Sequence, residues 1–532
     1  MVIDADSSDR GVRSVPGSVG AAVRPTAVPA GGPYATTTAA HPTTHTEQGT
    51  ASRTEPGTAS RTEPGDGHRA RTPRPDLLVT GGDVVTMNAR REVLAGGTVA
   101  IAGDRVLAVG ATSELRQRWP GTPELDARGC VVTPGMINAH QHQTGDPLAR
   151  AWIPDDLAPG ASIDAWAVPL HAAHTAADDT LSALLTCVEN LRNGVTTLVE
   201  AGTVAHPHPV AHAMHTAGIR GTIGTWGWDV PGAPFAASAP EVLDRLREVV
   251  ETYPVGGQIE GWVTLVGHGL ASDALLTGAA ELARSTGAPM TMHLSPSQSD
   301  PEHYLKTTGR RPVDHLAHLG VLGPHLLLAH AVWLADSEVE ALLGSGTAVA
   351  YCPWAYLRLG QGVTQAGRHS ELFERGGRLA LGTDSGNAGD SSDILRTAAL
   401  AAGLAKDMRV DPTVVLGAAA ALELATIRGA EAIGMADRIG SLEPGKYADL
   451  VVHATSGPQW APRGDIAHQL VWSSDGRSVR DVLVGGRAVV RDHQCTTVDE
   501  TALHSEAAGA SADLLARSGV PARPSWPIVP AH

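Results

Sequence analysis

The sequence predicts an α/β fold: a (β/α)8 TIM barrel with a composite β-sandwich formed by the N- and C-terminal flanks. Three observations predict it. Eight β-type runs alternate with helical stretches through the middle of the chain, over about 255 residues, the usual size of such a barrel. Short strand-like runs broken by turns stand on either side of that region. Four histidines and an aspartate fall at the C-terminal ends of the central runs, the rim where these barrels carry their chemistry. A doubly wound parallel sheet would also alternate strands with helices, but the count of eight and the strand-end residues favour the barrel.

Residues 1–75 are rich in Pro, Gly, Thr, Ser and Ala and hold a tandem octapeptide, Thr-Ala-Ser-Arg-Thr-Glu-Pro-Gly, at 50–57 and 58–65. So little apolar area cannot offset the entropy of ordering the chain, and the segment is expected to be disordered, a passive extension rather than a docking tail. From Asp76 the texture changes to Leu77-Leu-Val-Thr, Asp83-Val-Val-Thr-Met, Gly97-Thr-Val-Ala-Ile and Arg105-Val-Leu-Ala-Val, parted by Gly81-Gly82 and Gly103-Asp104 turns. A matching set lies at 448–452, 479–484 and 487–490. Segments 76–130 and 438–495 are therefore expected to build one sandwich beside a barrel spanning 131–437.

The eight central runs are 131–137, 194–200, 219–225, 261–267, 289–293, 326–330, 347–351 and 378–384. Helical patterns fill the gaps. Ser238–Thr252 opens with Ser238 and Glu241 at capping-box spacing, while Ala271–Thr286 and Asp336–Leu343 are followed by Gly287 and Gly344 as stop signals. Within 499–532, an amphipathic helix is expected from Asp499 to Arg517, with a loose tail from Pro521.

Composition narrows the function classes. Lys+Arg 40 against Asp+Glu 56 gives −16, which argues against a nucleic-acid surface or an anionic membrane. The N-terminus lacks the apolar segment of a signal peptide, and no long apolar run spans a membrane. Cys130, Cys187, Cys352 and Cys495 stand far apart with no C-x-x-C pair, so they read as buried, reduced thiols of a cytoplasmic protein.

The chemistry gathers at the strand ends. In His140-Gln-His142 residues i and i+2 share one face of a strand, so both imidazoles can approach one ion. His293 ends the fifth run, His330 the sixth and Asp384 the eighth. A lone strand-end histidine is usually a hydrogen-bonded or solvated residue. Five such groups in register make a nitrogen/oxygen site suited to one divalent metal, zinc first and iron second. Trp152, Trp166, Trp226, Trp228, Trp333 and Trp354 all follow strand ends, in a chain with 11 Trp and only two Phe, and offer stacking faces at the rim, although any one of them more simply packs a loop onto the barrel mouth. Trp166, Trp333, Tyr351 and Arg150 are the candidates for holding a substrate. His206, His208, His212 and His215 resemble a metal cluster by count, but the interleaved Pro207 and Pro209 favour solvated loop residues.

The chain resembles the amidohydrolase superfamily, in the branch holding chlorotriazine hydrolases, guanine deaminase and thioadenosine/homocysteine deaminases. The motifs are Pro134-Gly-Met-Ile-Asn-Ala-His-Gln-His142, Asn193-Gly-Val-Thr-Thr197, Met292-His293, Leu328-Ala-His330, Leu381-Gly-Thr-Asp-Ser385 and Arg438-Ile-Gly-Ser-Leu-Glu-Pro-Gly-Lys-Tyr-Ala-Asp-Leu450. The resemblance implies that His140, His142, His293 and Asp384 bind one metal ion. It further implies that Asp384 acts as general base and that His330 orients water or polarises the substrate. Without a lysine in the fourth run, a mononuclear site follows. The implied activity is hydrolytic deamination of a flat nitrogen heterocycle, a small-molecule substrate, by a chain that could form a homo-oligomer.

One departure stands out. The deaminase branch has H-x-x-E after the fifth strand, its glutamate shuttling a proton to the leaving group; this chain has Pro296 there, and no acid before Asp300. Asp384 or Tyr351 could donate the proton instead. An amide or ring-opening hydrolase on the same site, or a metal- or ligand-binding member without turnover, are the alternative readings.

Overall fold

The computed structural model describes residues 74–157, 161, 163–389, 391–408 and 416–530. The octapeptide repeat and the expected disordered extension, up to residue 73, lie outside the described residues.

The strands are β1 (Leu77–Val85), β2 (Val93–Ala102), β3 (Arg105–Ala111), β4 (Glu124–Asp126), β5 (Val131–Pro134), β6 (Met136–Gln141), β7 (Val195–Glu200), β8 (Arg220–Ile223) and β9 (Ile259–Gly261). They continue with β10 (Val263–Gly267), β11 (Met290–Leu294), β12 (Leu326–His330), β13 (Ala348–Tyr351), β14 (Leu379–Leu381), β15 (Leu450–His453), β16 (Val479–Val484), β17 (Arg487–Arg491) and β18 (Gln494–Cys495).

Strands from the two flanks form one nine-stranded sheet, ordered β18-β17-β16-β15-β5-β1-β2-β3 with β4 beside β1. Its junction is β15 antiparallel to β5, Val452 opposite Val132. Alternating valines, isoleucines and leucines supply the buried cluster beneath it, including Val79, Val99, Ile101, Val132, Leu450 and Leu483.

Two all-parallel sheets occupy the middle: β6-β7-β8-β9 and β10-β11-β12-β13-β14. Every residue of these strands is buried, as expected where helices cover both faces of a parallel sheet. Two predicted runs divide. The 131–137 run gives β5 to the flank sheet and β6 to a parallel sheet: the Gly135 N–H is the last to reach the flank, on the Asp449 carbonyl (2.9 Å), and the Met136 N–H turns to the Gly194 carbonyl (3.0 Å). The 261–267 run divides at the buried Trp262, so β9 pairs with β8 while β10 pairs with β11. At the opposite edges, the Asp384 N–H donates to the His140 carbonyl (2.9 Å).

Helix ends follow their caps. Ala239–Thr252 begins after Ser238, whose N–H donates to Glu241 (2.9 Å). The helix expected from Ala271 starts at Asp273, since the Ser272 hydroxyl accepts the Leu275 N–H (3.2 Å). The helix expected to stop before Gly344 runs on through Ser345, because Gly346, at φ 69°, is the residue that takes the left-handed cap. Glu500–Ser518 docks through Leu503 and Leu514 onto the cluster holding Leu148 and Leu170. Cys495 is half-buried rather than buried, while the other three thiols are buried and all four are free. No described helix is long and apolar enough to cross a membrane.

A Cβ on Gly135 would strike the Thr196 side chain, whereas one on Gly403, inside the helix Ile394–Met408, meets nothing within 4 Å. Gly135→Ala is therefore expected to destabilise by about 1–3 kcal/mol through overpacking. Gly403→Ala is expected to stabilise by about 0.5–1 kcal/mol. Urea-unfolding midpoints of the two variants check the opposite signs.

Candidate metal centre

His140 and His142 leave the end of β6 on one side, with Gln141 between them on the other. Gln141 joins a buried network: the Thr383 hydroxyl donates to its Oε1 (2.7 Å), and Asn138 Nδ2 reaches both that atom (2.9 Å) and Thr383 Oγ1 (2.7 Å). The Gln141 amide also donates to the Asp384 carbonyl (2.8 Å). The two strands that carry His140, His142 and Asp384 are thus tied directly behind the site.

On the other side the side chains converge. His142 Nε2 lies 3.1 Å from His293 Nε2 and 3.4 Å from Asp384 Oδ1, and His140 Nε2 lies 3.7 Å from that same oxygen. Two overlapping groups, His140/His293/His330 and His140/His142/Asp384, have the spacing to hold an ion. Second partners orient the rings. His293 Nδ1 donates to the Val266 carbonyl (2.7 Å), so its Nε2 carries the lone pair, and His142 Nδ1 pairs with Thr203 Oγ1 (2.7 Å). His140 is 1 % exposed and neither of its ring nitrogens has a hydrogen-bond partner. A buried imidazole left wholly unpaired is costly, and an ion in this nitrogen/oxygen set would satisfy it. Burial pushes the His293 imidazole down to about 3 and the Asp384 carboxyl up to about 7. Neutral imidazoles are the form that ligates.

The backbone here is strained. His268, Ser295, His330, Ala331 and Asp384, all at or just beyond strand ends, have positive φ between 50° and 79°. Non-glycine residues adopt that region rarely, and its cost, of order 1–3 kcal/mol each, is borne where surrounding contacts impose it.

A cavity of about 200 Å³ opens beside these groups, with His142, His293, His330 and Asp384 in its wall. None of the four expected substrate-holding residues lines it. Trp166 belongs to the apolar cluster with Leu148, Leu503 and Leu514; Trp333 donates Nε1 to the Gln361 carbonyl (2.7 Å). Tyr351 is buried against His369 at 4.0 Å between ring centroids, and Arg150 pairs with Glu189. The lining instead includes Trp226 and Trp228, which stack at 4.7 Å, together with Asp146, His171 and His268. Among the described residues the four histidines at 206–215 enter no cluster able to hold an ion: His206 pairs with Asp179 and His208 with Tyr253.

Sequence reasoning missed His268 and passed over Asp300, seen only as the next acid after Pro296. His268 directly follows β10, where its place one residue past a strand end was the available signal. Asp300 stands in the first turn of the helix Ser299–Thr308, which folds its carboxylate back to accept the Ser295 N–H (2.9 Å) and to face His268 Nδ1 (3.3 Å). The histidine is raised and the aspartate lowered by their mutual attraction, although burial opposes both shifts as the larger single effect.

The chain is similar in sequence and in fold to known proteins. The Amidohydrolase family model matches residues 131–489, and a bacterial imidazolonepropionase-like composite domain matches 99–121. A 5-methylthioadenosine/S-adenosylhomocysteine deaminase of Syntrophobacter fumaroxidans is 32% identical over 426 residues, covering 80% of this chain and 95% of that protein. The zinc-bound crystal structure of an adenosine deaminase from Xanthomonas campestris superposes with a TM-score of 0.78 at 27% identity, over 84% of this chain and 100% of its own. An atrazine chlorohydrolase from Arthrobacter aurescens complexed with zinc, at 21% identity, shares the fold with a TM-score of 0.74, over 82% of this chain and 100% of its own.

Glu200, at the end of β7, braces the loop behind His142: its carboxylate accepts the Gly202 N–H (2.6 Å) and the Thr203 N–H (3.3 Å). Burial raises it from 4.5 to about 7, so the folded chain holds its proton more tightly than the unfolded chain. Its contribution is full below about pH 4.5 and shrinks as pH rises through 7, by on the order of 3 kcal/mol. Glu200→Gln is expected to flatten that part of the profile, measured as the difference in unfolding free energy between pH 5 and pH 8 for the two proteins. Parallel profiles would contradict it.

Proposed function

Because the chain belongs to the amidohydrolase family, we propose that it is a metal-dependent hydrolase that deaminates a flat nitrogen heterocycle. The observation that carries this reading is the set His140, His142, His293 and Asp384, with His140 buried and unpaired. The two parallel sheets are read as halves of one eight-stranded barrel over 131–437. The nine-stranded sheet is read as its composite sandwich from 76–130 and 438–495, with 1–75 an extension and 499–532 a helix and tail.

The three histidines and Asp384 would hold one divalent ion, zinc by preference, which supplies the Lewis acidity that makes water nucleophilic near neutral pH. Asp384 is the general base: it is the one carboxylate among the ligand side chains, so it is the group placed to accept a proton from the attacking water. His330, with Nδ1 unpaired, orients the attacking water toward the ring carbon. Tyr351 takes no part in proton transfer, since burial raises its hydroxyl above the ordinary value and it stacks outside the cavity. His268, held by Asp300, stands in for the glutamate that Pro296 replaces and passes a proton to the departing amine.

The zinc-loaded protein is expected to release ammonia from a panel of amino-substituted purines, pyrimidines and triazines. His140→Ala and Asp384→Ala should lose the ion by elemental analysis. A chelator should lower Tm, since an ion at a thousand times its Kd stabilises by about 4 kcal/mol. A preparation that neither carries nor takes up metal would overturn the reading. His268→Gln should keep the ion and lower kcat by about 10²–10⁴-fold, the usual worth of a general acid; an unchanged kcat would remove His268 from the mechanism.

A further inference from the structure

One carboxylate in the cavity wall has no part in that mechanism. Asp146 stands four residues beyond His142, is 2 % exposed and lines the cavity. Its loop is turned by Gly145, at φ 92°, where any side chain would run into the His171 ring. That turn sets Asp146 beside the segment following Asp384, and the Asn387 N–H donates to its Oδ2 (2.6 Å). Its Oδ1 has no hydrogen-bond partner. Ser385 and the Gly386 backbone also stabilise the carboxylate, yet Oδ1 itself has no partner, and a buried acceptor left unpaired is costly unless a ligand supplies a donor. Burial pushes its carboxyl up to about 6.

The remaining wall supports a ligand rather than a structural partner for that oxygen. Trp226 and Gln361 also line the cavity, and the buried Trp226 Nε1 and Gln361 Oε1 are likewise unpaired. Among the described residues no lysine or arginine lines it, and Asp146, the one lining carboxylate outside the ligand set, is suited to accept from an N–H donor. At about 200 Å³ the cavity is below the roughly 300–1,000 Å³ of ordinary ligand pockets and suits a single compact ring system.

We propose that Asp146 is a specificity-determining residue whose free carboxylate oxygen accepts an N–H from an amidine-type fragment, a ring nitrogen flanked by an amino-bearing carbon, of a compact heterocycle. The assignment rests on the hydrolase reading for the cavity's purpose, but its test reads binding alone.

Calorimetric titration of the zinc-loaded protein with 2-aminopyrimidine and with 2-methylpyrimidine, which matches its shape but lacks the N–H, measures the preference. Wild type is expected to bind the amino compound at least about tenfold more tightly, because the methyl compound leaves the buried acceptor unpaired. Asp146→Ala should erase the preference. Asp146→Asn, closer in shape, should erase it too, since its carbonyl keeps the Asn387 N–H and turns an NH2 toward the ligand. Both variants should retain zinc. Equal affinity of wild type for the two probes, a preference that survives in both variants, or its loss only together with zinc would each overturn the proposal. Absence of ammonia release with the preference intact would sink the hydrolase reading and leave this one standing.

Discussion

The buried amides of Asn138 and Gln141, pinned to Thr383, set the geometry on which the site depends. They tie the end of β6 to the end of β14 with hydrogen bonds of 2.7–3.1 Å, reinforced by the Asp384 N–H on the His140 carbonyl. Sealed from water, such a network is stabilising only when every member is satisfied, so it admits one register between the two strands. That register fixes the distance between the paired histidines and the aspartate. A slip of one residue on either strand would turn the ligand side chains to the opposite face.

Around this tie the strand ends are strained outward. His330 and Asp384 adopt left-handed backbone at the points where chain direction must change to aim a side chain inward. Their rings and carboxylates are then locked from behind: His293 by the Val266 carbonyl, His142 by Thr203, and Thr203 by Glu200. The energy stored in strained backbone is offset by these contacts and by the apolar packing under the parallel strands, so the ligand atoms are preorganised.

Much of this was legible in the chain. The strand-end positions of His140, His142, His293, His330 and Asp384 follow from apolar runs of strand length, and the structure gathers all five. The divided runs were not legible, because a continuous apolar stretch carries no mark of where one sheet ends and another begins. Gly135 and Trp262 act through contacts with Thr196, Asp449 and Ile223, distant in sequence. The cavity wall was legible only in part: Trp226 and Trp228 line it, whereas Trp166, Trp333, Tyr351 and Arg150 do not, for a related reason. Aromatic side chains in loops cover whatever apolar surface is nearest, and for Trp166 that surface is the C-terminal helix. Asp300 was seen in the sequence only as an acid too far along to help, because spacing on an extended chain says nothing of a helix turning the carboxylate back.

The partition of one apolar run between two sheets bears on the order in which the molecule can assemble. β5 finds its neighbour in β15, with Thr133 and His453 separated by 320 residues. At typical ribosomal rates of about 5–20 residues per second, the flank strand waits roughly 15–60 s for that neighbour to be synthesised. Through that interval β5 can lean only on β1, its neighbour on the other side, while β6 pairs with β7 as soon as that strand emerges. The parallel sheet that carries His140 and His142 can therefore begin to form well before the flank sheet closes, which must wait for the far end of the chain.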